Sequence, residues 1–122
     1  MTIQELYQTI GGNYDQALRV LRVEKLVDKH IRKLTQNGVV EKLLQAGERM
    51  DPTEMFETAH AAKGVTANLG LTRLSEGASA VAEEFRPGNS RTMTDEELSR
   101  KMGEIADLYA RTVEGIRQYA GE

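Results

Sequence analysis

A chain of 122 residues with 39% apolar side chains fits a single domain with its own core, and that composition argues against wholesale disorder. Its 16 basic and 19 acidic residues leave a net charge of −3 and aromatics make up only 5%, so no basic, aromatic-rich nucleic-acid surface is offered. Cysteine is absent, which excludes disulfides, thiolate metal sites and cysteine nucleophiles.

The opening Met1-Thr2-Ile3-Gln4-Glu5 has neither the basic start nor the apolar run of a secretion signal. No apolar stretch approaches the roughly 18 residues of a membrane span, so a cytoplasmic protein without membrane contact is expected. A first helix starts at Thr2, with Glu5 completing a capping box, and Gly11-Gly12 stops it. Asn13 caps a short second helix through Val20. A third helix spans Val23 to Thr35 with the stripe Val23, Leu26, Val27, Ile31 and Leu34, and Asn37-Gly38 breaks it. Val39, Val40, Leu43 and Leu44 then face inward, with Gly47 read as a left-handed stop.

Asp51-Pro52-Thr53-Glu54 is a strong helix start: Asp51 caps, Pro52 takes the first helical position, and Glu54 is the capping-box acid. That helix ends near Gly70. The next runs from Thr72 to Phe85, Pro87-Gly88-Asn89-Ser90 forms a turn, and Thr94-Asp95-Glu96-Glu97 opens a last long helix. Amphipathic helices joined by short loops predict an all-α, antiparallel bundle. The division expected is one domain over 1–122, with an N-terminal helical segment at 1–20 and the bundle at 23–120.

Helical geometry turns each residue by about 100°. Relative to His60, the small and apolar residues Met55, Ala59, Ala62, Thr66 and Leu69 gather between roughly 100° and 180°, which marks them as the core face. Phe56, Glu57, Lys63, Gly64 and Ala67 fall within about 60° of His60, so the imidazole is expected at the surface. Lys63 lies three residues on and can bring its ammonium near the ring. Gly64 removes the side chain that would crowd the next turn, at a helix cost of up to about 1 kcal/mol relative to alanine. A nucleophilic ring nitrogen with a mobile cation beside it and a bare turn for access suits phosphoryl transfer. His60, Lys63 and Gly64 are therefore the candidate reacting group, stabilising cation and access point.

Other readings compete. His30 falls within the apolar arc of the third helix and reads as a half-buried structural histidine, and no Lys-Gly pair follows it. Glu57-Thr58-Ala59-His60 has the Glu-x-x-His spacing of di-metal bundles, but only one copy occurs and His60 points outward, so no metal or cofactor is expected. No Gly-x-x-x-x-Gly-Lys-Ser/Thr phosphate loop exists, so self-phosphorylation from ATP is not expected.

The stretch His60-Ala61-Ala62-Lys63-Gly64 followed by Leu69-Gly70 resembles the signature of the histidine-containing phosphotransfer (HPt) domain family. The match continues through Leu71-Thr72-Arg73-Leu74-Ser75-Glu76, and Glu5-Leu6-Tyr7 through Gly11-Gly12-Asn13-Tyr14 is similar to stand-alone bacterial members. Family members often carry a larger apolar residue at the place of Ala62, and Glu48-Arg49-Met50 lengthens the connection before the motif helix. The resemblance implies an up-and-down four-helix bundle with additional short N-terminal helices. It implies a monomeric phosphocarrier of two-component signalling, not an enzyme with its own ATP site. His60 would exchange a phosphoryl group with aspartates of response-regulator receiver domains, with a hybrid sensor histidine kinase as a further partner. Lys63 would stabilise the group, Gly64 would give access, and Phe56, Glu57 and Ala67 would border the docking partner. The Mg2+ ion would belong to the receiver. The alternative is a helical interaction module that docks receivers without phosphotransfer.

Overall fold

The computed structural model describes residues 1–121. It is all-helical, with no strand among the described residues. The helices are α1 (Ile3–Ile10), α2 (Tyr14–Leu21), α3 (Glu24–Lys33), α4 (Val39–Arg49), α5 (Pro52–Asn68), α6 (Thr72–Phe85) and α7 (Asp95–Ala120). None is long and apolar enough to cross a membrane.

The helix starts follow local chemistry. Thr2 and Thr94 each accept a hydrogen bond from the backbone N–H three residues on, and the Glu5 and Glu97 carboxylates accept one from the cap's own N–H, closing a full capping box at α1 and at α7. Asp51 accepts from the Glu54 N–H at 2.9 Å. The Glu54 carboxylate does not close the box; it pairs with Arg49 at 2.6 Å across the α4–α5 corner.

Besides the role of Glu54, three further expectations from the sequence change. Gly47 does not stop α4, which continues through Glu48 and Arg49 to a left-handed cap at Met50, φ 57°. Pro52 enforces that stop, because a proline ring cannot follow in the helix that precedes it. Gly47 instead makes room for Met102 of α7, whose Cε would lie 2.7 Å from a Cβ placed there. Of the α3 stripe, Val27 and Ile31 in the helix and Leu34 at its C-cap are buried, while Val23, which caps the start, and Leu26 are exposed. His30 is exposed as well, so it is not a half-buried core histidine.

The most extensive helix pair is α5 with α6, which folds back along it; α5 also meets α4 and α2. The 26-residue α7 touches α1, α3, α4 and α6. Gly115 of α7 receives Ile10 of α1 so closely that a Cβ would sit 2.5 Å from its Cγ2. The core runs through Leu6, Ile31, Leu43, Met55, Val81 and Ile105, all essentially inaccessible to solvent. Two long-range bonds tie the ends together: Tyr109 donates to Glu41 at 2.6 Å, and the Tyr119 hydroxyl donates to Asp28.

The α1–α2 turn is clamped onto the α5–α6 turn. The buried Tyr7 hydroxyl donates to the Leu69 carbonyl at 2.7 Å, and the Asn13 N–H donates to the Gly70 carbonyl at 2.7 Å. Gly70 has φ 69°, and any Cβ on it would fall 2.1 Å from the Asn13 carbonyl oxygen. Glycine is thus required there by both conformation and space.

At the other end, Glu84 is buried and its carboxylate gathers the α6–α7 loop. It accepts from the Thr92 hydroxyl and from the Thr92 N–H at 2.8 Å and the Met93 N–H at 3.3 Å. The Thr92 hydroxyl foremost, then the two N–H groups and nearby Arg91, hold this carboxyl below the ordinary glutamate value of 4.5 against the opposing effect of burial.

Two stability predictions follow from these anchors. Tyr7→Phe strands the Leu69 carbonyl and lowers unfolding free energy by about 1–3 kcal/mol in urea titrations; an unchanged midpoint refutes the clamp. For Glu84 the lowered folded-state pKa stabilises the protein above the ordinary glutamate range, and that contribution disappears as pH falls through the folded value. The stability gap between wild type and Glu84→Gln should therefore be largest near neutrality and shrink below about pH 4.5; a gap that holds or grows contradicts the loop anchor.

Candidate functional site

Helix α5 carries the site. Its inward face is Met55, Ala59, Ala62 and Thr66, all buried, with Leu69 buried just beyond the helix end. Small residues let α6 lie close along it. Thr66 is tolerated inside because its hydroxyl donates to the Ala62 carbonyl at 2.7 Å. Once this face is fixed, the helical period leaves His60 on the exposed side.

His60 is not a free-swinging ring. It stacks on Phe56, one turn earlier, with centroids 5.5 Å apart and planes inclined by 23°. Phe56 is half-buried against the core and so gives the imidazole a fixed platform. Lys63 is half-buried at its stem, and Ser75 of α6 donates to its backbone carbonyl at 3.5 Å. On the facing helix the Glu83 carboxyl is held below the ordinary glutamate value, by the Arg86 hydrogen bond foremost and in smaller part by the charge of Lys63. Gly64 is exposed, and a Cβ built on it meets nothing within 4 Å.

The structure therefore brings Phe56 and His60 into contact and sets Lys63 and Gly64 on the same exposed edge of α5. Glu57 is exposed on that edge and makes no hydrogen bond with His60 among the described residues. Ala67 lies further along, half-buried in a cleft of about 330 Å³ that Asn13, Gln16 and Glu76 also line. His30 stands apart on α3, at a cleft of about 250 Å³ shared with Leu21, Lys33, Val65 and Asn68. Among the described residues no three His, Asp or Glu side chains gather as a metal-binding group.

Two residues of the site were not singled out from the sequence. The Arg86 guanidinium lies 5.6 Å from the Phe56 ring centroid and is held by Glu83 through bonds of 2.7 and 3.1 Å. Their spacing of three at the end of α6 signals a helical ion pair. Only the return of α6 along α5 brings that pair to Phe56. Comparison of the chain with protein-family models, curated proteins and solved structures gave no match.

The glycines differ in what holds them. Gly115 and Gly70 are surrounded by packed atoms, whereas Gly64 and Gly103 face open space. Gly64→Ala should raise unfolding free energy by about 0.5–1 kcal/mol, as should the comparison variant Gly103→Ala, because each removes a helix-interior glycine without a clash. Gly115→Ala should destabilise. A loss of stability in Gly64→Ala would show that glycine serves the fold at this position.

Proposed function

We propose that this chain is a histidine phosphotransfer domain that carries a phosphoryl group on His60 between receiver-domain aspartates in a cytoplasmic phosphorelay. The observation that carries the reading is Gly64: a helix-interior glycine one turn from an exposed, stacked histidine, with no neighbour inside the chain that excludes a side chain. Gly103 of α7 is equally bare, so the weight lies on where Gly64 stands: it clears the turn beside His60, the approach a phosphoryl partner would need.

The chemistry is an in-line exchange. An unprotonated His60 ring nitrogen directs its lone pair at the phosphorus of an aspartyl phosphate; the N–P bond forms as the P–O bond to the aspartate breaks, and the carboxylate leaves with the bonding pair. Transfer in the other direction reverses each change. Phe56 limits the ring's orientations, which favours the aligned approach that such transfer needs. Lys63 supplies positive charge to the phosphoryl oxygens. Gly64 leaves room for the receiver's acceptor loop, with Phe56, Glu57 and Ala67 bordering the contact. Mg2+ would come with the receiver.

On this reading α1 and α2 are the additional N-terminal helices, and within the bundle segment at 23–120 the four long walls are α4, α5, α6 and α7, with α3 leading into them. Supporting it, α4 meets α5, α5 meets α6, α6 meets α7, and α7 returns to α4.

The test is intact-protein mass spectrometry at mildly alkaline pH, where phosphohistidine survives, after mixing with phosphorylated receivers already shown to serve another phosphotransfer domain. One added phosphoryl group should map to His60, and His60→Gln should remain folded and unlabelled. Gly64→Leu should fold yet transfer at least about tenfold more slowly, a steric loss of roughly 1.4 kcal/mol in the transition state. Label retained by His60→Gln would falsify the assignment. Binding of the same receivers without any label would identify a docking module instead.

A further inference from the structure

The His60 edge contains a cation that the phosphotransfer reading does not use. Arg86 reaches back from the end of α6 to the Phe56 ring, which is the ring His60 stacks on. The imidazole and the guanidinium are thus two neighbours of one aromatic platform, no farther apart than the 5.5 Å and 5.6 Å separations laid end to end. Nothing in the core needs this arginine. Its side chain is 42% exposed, and among the described residues its carboxylate partner is Glu83, itself 53% exposed. Asn89 steadies Glu83 from the other side, donating to its backbone carbonyl at 3.0 Å and its carboxylate at 3.4 Å.

We propose that Arg86 is a second phosphoryl-binding cation of the His60 site, held on Glu83 and Phe56 until His60 is phosphorylated and then transferred to the phosphoryl oxygens. The inference rests on the reading of His60 as the phosphorylated group. Three features support the exchange. An exposed carboxylate–guanidinium pair is weakly held. A phosphoryl group presents more negative charge than one carboxylate and three oxygens that suit the planar guanidinium fork. Phosphorylation also lengthens the His60 side chain by a phosphoryl group, and a long, exposed arginine can change rotamer to meet it. Glu83 then acts as a holding group: it keeps the cation oriented without quenching the site, because Lys63 and Arg86 together outweigh its single charge. Lys63 alone is a compact point charge, whereas Arg86 adds geometric recognition.

The experiment uses phosphoramidate, so no receiver is required. The His60 lone pair forms the N–P bond as the phosphoramidate P–N bond breaks and ammonia leaves. 31P NMR of the labelled full chain then follows the phosphoryl ionisation with pH above neutrality, where the adduct persists. In wild type a nearby guanidinium favours the dianion. Arg86→Gln should therefore raise the titration midpoint by roughly half a unit, and Arg86→Lys should restore only part of it. In wild type the Arg86 Nε–H resonance should shift on phosphorylation as it leaves Glu83.

The outcomes separate the two claims. If His60 takes no phosphoryl group from phosphoramidate or from receivers, the functional reading fails. If His60 is labelled but the midpoint is the same in wild type and Arg86→Gln, and the Nε–H resonance is unmoved, the arginine claim alone is overturned. Circular dichroism melts of Arg86→Gln and Arg86→Lys should match wild type, because the side chain packs at the surface.

Discussion

The constraint on which the rest depends is the clamp between two turns. The backbone at Gly70 adopts a left-handed conformation and presses against Asn13 with no space for a side chain. Two bonds of 2.7 Å, from Tyr7 and Asn13, occupy the carbonyls of Leu69 and Gly70. This contact fixes where α5 ends and therefore where α6 begins its return. The register of α6 along α5 in turn decides that Ser75 faces Lys63 and that Arg86 faces Phe56. A slip of one residue at the turn would rotate α6 by about 100° and separate those pairs.

Around that hairpin, α7 acts as the common wall. It approaches its neighbours through small residues: Gly115 admits Ile10 of α1, Gly77 of α6 admits Ile105, and Gly47 of α4 admits Met102. Such contacts exchange local helix stability for close packing. Gly64 and Gly103 make the same sacrifice with no internal contact in return, which sets them apart from the glycines of the core. The same residue type thus occurs in packed and in bare helix faces, and only the three-dimensional surroundings distinguish them.

Much of the architecture was legible in the sequence because it is encoded locally. The two threonine capping boxes, the Asp51-Pro52 start and the small-residue face of α5 are all written within one or two turns, and the exposure of His60 follows from that face. What was not legible depends on partners distant in the chain. Gly47 looked like a terminator because its role, admitting Met102, lies in α7. Leu26 and His30 looked inward because α3 is apolar over a wider arc than its neighbours cover. Arg86 could not be assigned to the His60 neighbourhood until the α5–α6 register was known. The role proposed for His60 rests on the motif and on its exposed, stacked position together.

The pairing of α1 with α7 has a consequence for how the molecule is made. The α5–α6 hairpin is local in sequence, and its formation asks for the closure of only a tight turn. Helix α1 buries Leu6 and packs Ile10 against Gly115, a surface that does not exist until the last long helix has been synthesised. During translation α1 therefore waits, with its apolar stripe uncovered, while almost everything it will touch is still to come. The strong capping box at Thr2 and the left-handed stop at Gly11 favour its helical form meanwhile. They leave a short amphipathic segment whose apolar stripe is fully covered only once α7 is present.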